Sequence, residues 1–270
     1  MTAEATPPAP GAPDGGPGGP RAPEPQPVAT PERPAFYAAR PGGWRDWWTL
    51  LHPPYTAWHL GYVVIGACLV TVVNTTILLA TLLAFFLAVG LAAHALDELH
   101  GRPLRTSIPS PVLVAVVVVS LAGAVALGVV GVTVVGWPLV PFLVVGPLLV
   151  VGYNYELFGG LLHNDAGFAA AWGAFPVLTA YVAQAATLRV AALAAAGGAF
   201  FLSVAQRRLS TPARLLRRRT VRVEGAVTLV GGEAVSVDTA TLLAPLEHAL
   251  RAMTWAVVLL ATSLALSRLT

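Results

Sequence analysis

Residues 94–106 read His-Ala-Leu-Asp-Glu-Leu-His-Gly-Arg-Pro-Leu-Arg-Thr, between two long apolar runs. Two acids, two arginines and two histidines fall within a chain that is otherwise poor in charge. An apolar run of about 20 residues that ends in such a cluster reads as a membrane helix reaching its aqueous mouth. If the helix continues to about Glu98, the i, i+3, i+4 spacing puts His94, Asp97 and Glu98 on one face. A carboxylate-rich face at that depth is either a site or a topology signal. The plainer alternative is a solvated helix end with a Glu98–Arg102 pair.

The composition supports this reading. Charged residues make up 11% of the chain, well under the roughly 25% of soluble domains. Hydrophobic residues reach 56% and the mean hydropathy is +0.71. The expected class is all-α, a polytopic membrane helical bundle of about seven transmembrane helices. All sixteen basic residues are arginine, and no aromatic–basic interleaving points to nucleic acid. Cys68 is the single cysteine, which excludes an intrachain disulfide and a cysteine-based zinc site. The polar, proline-rich start does not resemble a cleavable signal peptide.

Residues 1–42, rich in Pro, Ala and Gly, are expected to form a disordered cytoplasmic tail, and residues 43–270 the transmembrane domain. Trp44, Trp47, Trp48 and Leu51 recur at helical spacing and suit a short helix in the headgroup plane. Spans are expected near 55–73, 76–97, 111–131, 134–152, 166–187, 189–206 and 243–268, the third and fourth joined by a tight turn around Gly131 and Thr133. A cytoplasmic insert covers about 207–240. Its β-branched residues around Gly231-Gly232 predict a small hairpin. Arg40, Arg45, Arg102, Arg105 and the run from Arg207 to Arg222 fall on one side, against Arg189 and Arg268 on the other. The positive-inside rule then predicts a multi-pass protein of the cell membrane with its N-terminus in the cytoplasm.

Three segments meet at the cytoplasmic mouth by topology: residues 94–106, the loop 153–165, and Gln206-Arg207-Arg208. Carboxylates of Asp97, Glu98 and Asp165 have the chemistry to hold a hard divalent ion such as Mg2+. Arg102, Arg105, Arg207 and Arg208, with Tyr153 and Glu156, are the candidate substrate-binding residues, because guanidinium forks suit phosphate. His94 and His163 are the candidates for moving a proton. His163 and Asp165, two apart in the loop, are expected to orient one another. The run 214–219 reads as topogenic rather than as part of a site. No P-loop, dinucleotide fingerprint or Ser-His-Asp order occurs.

The order of these pieces resembles the UbiA superfamily of intramembrane prenyltransferases. The likeness covers about residues 47–215. It starts at Leu50-Leu51-His52-Pro53-Pro54, passes through the acidic segment ending in Arg102-Pro103, and is strongest from Tyr153 to Tyr181 with Trp172-Gly173-Ala174-Phe175-Pro176. The resemblance implies a UbiA-like fold and transfer of a prenyl group from an isoprenyl diphosphate, with Mg2+ held by Asp-rich motifs. The chain departs from that pattern. His94, Ala95 and Glu98 stand where the family has Asn, Asp and Asp, Gln206-Arg207-Arg208 replaces its second acidic motif, and seven spans are counted against the usual nine. The readings carried forward are such a transferase, and a non-catalytic member of the fold that binds a polyprenyl lipid or a membrane partner. A transporter ranks last, since the spans hold almost no charge before their ends.

Overall fold

Three tryptophans and one aspartate explain how the chain approaches the membrane. Helix α1 (Trp44–Leu50) leaves Trp44, Trp47 and Trp48 exposed and turns Asp46, Thr49 and Leu50 inward. The tryptophan side suits the bilayer interface, as the spacing predicts. The Asp46 carboxylate accepts hydrogen bonds from the backbone N–H groups of Gly42 and Ser107, each 3.0 Å, and from the Ser107 hydroxyl. Burial opposes its ionisation, but those donors outweigh it and hold the carboxyl below its usual range.

The computed structural model describes residues 33–269, apart from the side chain of Phe158. The expected tail up to residue 32 lies outside the described residues. Of residues 33–42, read from sequence as the end of that tail, 34–39 instead pack on the bundle, with Ala38 1% exposed. Among the described residues there are eight helices and one hairpin. After α1 come α2 (Pro53–Ala67), α3 (Thr75–Leu99), α4 (Ser110–Val135), α5 (Trp137–Asn154), α6 (Asp165–Ala185), α7 (Val190–Arg218) and α8 (Thr239–Leu269). The last six are long and apolar enough to cross a membrane, which fits a multi-pass all-α membrane bundle. The seventh expected span is α2, a 15-residue helix that stops at Ala67. The segment after it is pinned by a reciprocal pair in which Asn74 N donates to Gln184 Oε1 and Gln184 Nε2 donates to Asn74 O.

Helix α2 sits innermost, packed on the second half of α6 and on α8. Lipid is as apolar as leucine, so helices in a membrane associate through close packing rather than by escaping water. Gly66 lets the α2 backbone meet α6, because a Cβ there would lie 2.2 Å from Val177 O. Gly173 does the same between α6 and α7, where a Cβ would lie 2.6 Å from Ala199 O. Helix α4, by contrast, exposes Val114, Val118, Val119, Val129, Val130 and Val134, as a lipid-facing helix should.

Two further boundaries differ from the sequence expectation. The turn after α4 falls at Gly136 (φ 95°), just before Trp137-Pro138, and not at Gly131 and Thr133. Backbone groups in lipid must bond within the helix, so Gly, Val and Thr there stay helical. Helix α7 runs on past the expected end near 206 to Arg218, through Pro212. The insert therefore starts at about residue 219. It carries the expected hairpin, β1 (Gly225–Thr228) against β2 (Ala234–Val237), antiparallel with Val227 opposite Val235.

Candidate functional site

A polar cavity of about 410 Å³ opens at one end of the bundle, where α2, α3, α5, α6, α7 and α8 meet. Its walls carry His52, His59, His94, Asp97, Tyr153 and His163 from α2, α3, α5 and the loops beside them. Gln206, Arg207, Arg214 and Arg218 come from α7, and Glu247 from α8. Helical geometry explains the α7 set: Gln206, Ser210 and Ala213 are buried on one stripe, and Arg207, Arg214 and Arg218 flank it at multiples of a turn. Reading the run 214–219 as a topology signal missed this. The available clue was the i, i+3, i+4 repeat of small and polar residues continuing from Ser203 through Ser210.

The opening cluster divides. His94 and Asp97 line the cavity, and no described residue donates a hydrogen bond to the Asp97 carboxylate. Glu98, one residue on and so about 100° around the helix, turns away. It is fully buried and accepts from Leu104 N at 2.9 Å, Thr106 N at 2.8 Å and Thr106 Oγ1 at 2.8 Å. Glu98 thus fastens the loop before α4. Arg102 does the same work, donating to Ile108 O at 2.6 Å and Ser110 Oγ at 2.7 Å. The Glu98–Arg102 side-chain pair of the plainer alternative does not form. Arg105 is exposed, and neither it nor Arg102 lines the cavity.

In the second loop, Asp165 joins α6 to α7 through two ion pairs, to Arg207 and Arg208 Nε at 2.8 Å each. Arg207 also donates to the Tyr153 hydroxyl. His163 stacks on Tyr153 at 4.7 Å and approaches Glu156 at 3.7 Å, so it does not orient Asp165. Glu156 and Arg208 lie largely in the open, outside the cavity wall.

Two stretches of π-helix adjoin the cavity, Phe86–Ala93 in α3 and Ala170–Ala174 in α6. A π-turn displaces carbonyls from the ordinary ladder, and such turns recur at functional sites. Here each serves a histidine: His94 Nδ1 lies 3.2 Å from Gly90 O and His59 Nδ1 2.8 Å from Trp172 O. A carbonyl only accepts, so each Nδ1 carries the proton. His52, which ends up stacked on His94 at 4.1 Å, has a left-handed backbone (φ 47°) at the N-cap of α2. Among the described residues, its buried Nε2 and the buried Gln206 Oε1 have no hydrogen-bond partner. Both residues line the cavity.

A second pocket, about 270 Å³, lies between α3, α4, α5 and α6 and is lined almost wholly by apolar side chains such as Ala84, Leu121, Leu143 and Phe175. Val89 and Trp172 belong to both walls, so the polar and apolar spaces adjoin.

No protein-family model, curated protein or solved structure matches this chain. Its residues alone therefore carry the functional reading. They do not fit a resident Mg2+ on Asp97, Glu98 and Asp165. The Glu98 oxygens are taken by three donors and Asp165 by two guanidinium groups, which leaves Asp97. Among the described residues no group of three His, Cys, Asp or Glu is arranged for a metal.

Proposed function

We propose that this chain is a UbiA-like membrane transferase that takes an isoprenyl diphosphate and passes its prenyl group to an acceptor. One observation supports this reading above the others: an arginine-bearing polar cavity adjoins an apolar pocket across Val89 and Trp172. The apolar pocket follows α3 from Val89 back to Thr76, about 20 Å at the α-helical rise. That pairing suits a ligand with a polyanionic head and a long hydrocarbon tail.

In this mechanism Arg207, Arg214 and Arg218 grip the diphosphate through charge-assisted hydrogen bonds. The bond from the allylic carbon to the diphosphate oxygen breaks, and the guanidinium groups stabilise the leaving group in a site that excludes water. Asp97 faces the allylic cation. The acceptor's nucleophilic atom closes the new bond, and its proton passes to Asp97 or His94. Magnesium arrives, on this reading, with the diphosphate as substrate. The arginine excess around the cavity mouth supports a cytoplasmic mouth and N-terminus in the cell membrane.

The test is binding of geranylgeranyl diphosphate to detergent-purified protein, with and without Mg2+. Arg214→Gln and Asp97→Asn are the comparison variants. Arg214→Gln is expected to weaken binding about tenfold, the loss of one charge-assisted contact. Asp97→Asn should abolish transfer while leaving binding in place. Absence of binding by the parent protein overturns the proposal. The engagement of Glu98 and Asp165 by structural partners favours a second reading, a non-catalytic polyprenyl-lipid binder. Bound prenyl lipid with no turnover for any acceptor decides for it.

A further inference from the structure

Residues 33–40 run along the polar cavity, and Pro34, Ala35, Phe36 and Tyr37 form part of its wall. Near one end of this strap, Ala39 N donates to Thr49 Oγ1 at 3.0 Å. Near the other, two backbone carbonyls sit on the α7 arginines: Arg217 Nη1 donates to Arg33 O at 3.4 Å and Arg218 Nε to Pro34 O at 3.1 Å. Between them, the Phe36 ring lies 4.9 Å under the Arg251 guanidinium and Tyr37 lies 5.2 Å from the His52 ring.

We infer that residues 33–40 are a displaceable cover whose carbonyls stand in for a phosphate-bearing headgroup on the α7 arginines. The inference rests on the diphosphate reading above and adds how the site is kept closed. Arg217 already has a carboxylate partner in Glu247, with Nη2 to Oε2 at 2.8 Å, so the exchange centres on Arg218. No carboxylate lies within ion-pair distance of Arg218 among the described residues; its partner is a neutral carbonyl. The Arg218–carbonyl bond is charged on the donor side only; a phosphate oxygen adds the opposite charge and can accept from the guanidinium fork bidentately, so an anionic headgroup wins the exchange. A headgroup that replaces these carbonyls shifts Phe36 and Tyr37 with the strap, and Tyr37 packs on His52, whose buried Nε2 has no partner among the described residues. The cover leaves the closed site with its charges partly satisfied and its water excluded.

The experiment is amide hydrogen exchange over residues 34–43 of the full chain in detergent. The additions are inorganic diphosphate, geranylgeranyl diphosphate or uncharged geranylgeraniol, and binding of each is measured in parallel. Geranylgeranyl diphosphate is expected to speed exchange at Ala38 and Ala39 at least tenfold, and geranylgeraniol to leave it unchanged. Release by inorganic diphosphate as well identifies the headgroup alone as sufficient. Release by the prenylated compound alone identifies a lipid-borne phosphate, and either result supports the cover. Phe36→Ala, which loosens the strap without touching the α7 arginines, should bind geranylgeranyl diphosphate about two- to fivefold tighter. Binding with unchanged exchange, and unchanged affinity in Phe36→Ala, makes the segment a fixed wall and overturns this inference while the diphosphate reading stands. No binding by the parent or by Phe36→Ala overturns both.

Discussion

Asp97 and Glu98 are neighbours in sequence with opposite roles. One is an open carboxylate on a cavity wall; the other is buried under three hydrogen bonds that hold a loop. Their shared acidity was legible in the sequence, but which of them faced inward depended on where the 104–106 backbone folded back. His52 makes the same point, because nothing in Leu-His-Pro-Pro announces a buried imidazole. Burial is the first cause that holds its pKa well below 6.5, and His94, Arg218 and Arg214 add to it, with His59 a smaller influence. Tyr37 and Tyr55 face the ring from the strap and from α2. The unfolded chain takes up the proton first as the pH falls. Stability is therefore unaffected by this group above about pH 6.5 and falls below it by about 1.4 kcal/mol per pH unit. His52→Asn, which tolerates the left-handed backbone, should flatten the decline of the thermal midpoint between pH 7 and pH 5. An unchanged slope would remove His52 as the cause.

At the scale of elements, close approach decides more than hydrophobicity does. Gly66→Ala places a methyl against the Val177 carbonyl, so α2 and α6 must separate. The expected loss is about 2–4 kcal/mol, read as a lower thermal midpoint in detergent. Gly197→Ala, on an open part of α7, is the matched control and should change little. The two π-helical stretches belong to this scale as well. Phe86–Ala93 and Ala170–Ala174 are apolar text in the sequence, with no marker for the extra residue per turn. Only packing around His59, His94 and Trp172 fixes where the ladder shifts.

For the whole molecule, the polar and apolar spaces share Val89 and Trp172 in their walls, and a ligand that fills both needs them to be continuous, from the arginines of α7 to Thr76 near the far end of α3. Filling the apolar half tests that continuity. Gly146→Leu projects a side chain beside Phe175 inside the apolar pocket. It should weaken geranylgeranyl diphosphate about tenfold and leave inorganic diphosphate unaffected, measured by the same binding assay. Equal weakening of both would mean that the variant disturbs the bundle rather than the tail's place.

The sequence by itself determined the class of molecule. Long apolar runs, sparse charge and the tryptophan-bearing α1 follow from what a bilayer requires of any chain, and so do the helices themselves, since lipid offers the backbone no other partners. The hairpin was equally legible, because β-branched residues around a glycine pair are a local signal. The candidate site was legible as a meeting place of segments but not as a set of residues. Tyr153, His163, Arg207, His94 and Asp97 gather at the cavity, whereas Arg102, Arg105 and Glu98 serve the neighbouring loop or solvent. Which face of a helix meets the interior depends on partners far along the chain. His59 on Trp172, Asp165 on Arg207 and Pro34 on Arg218 are such pairs, and only the tertiary structure brings them together.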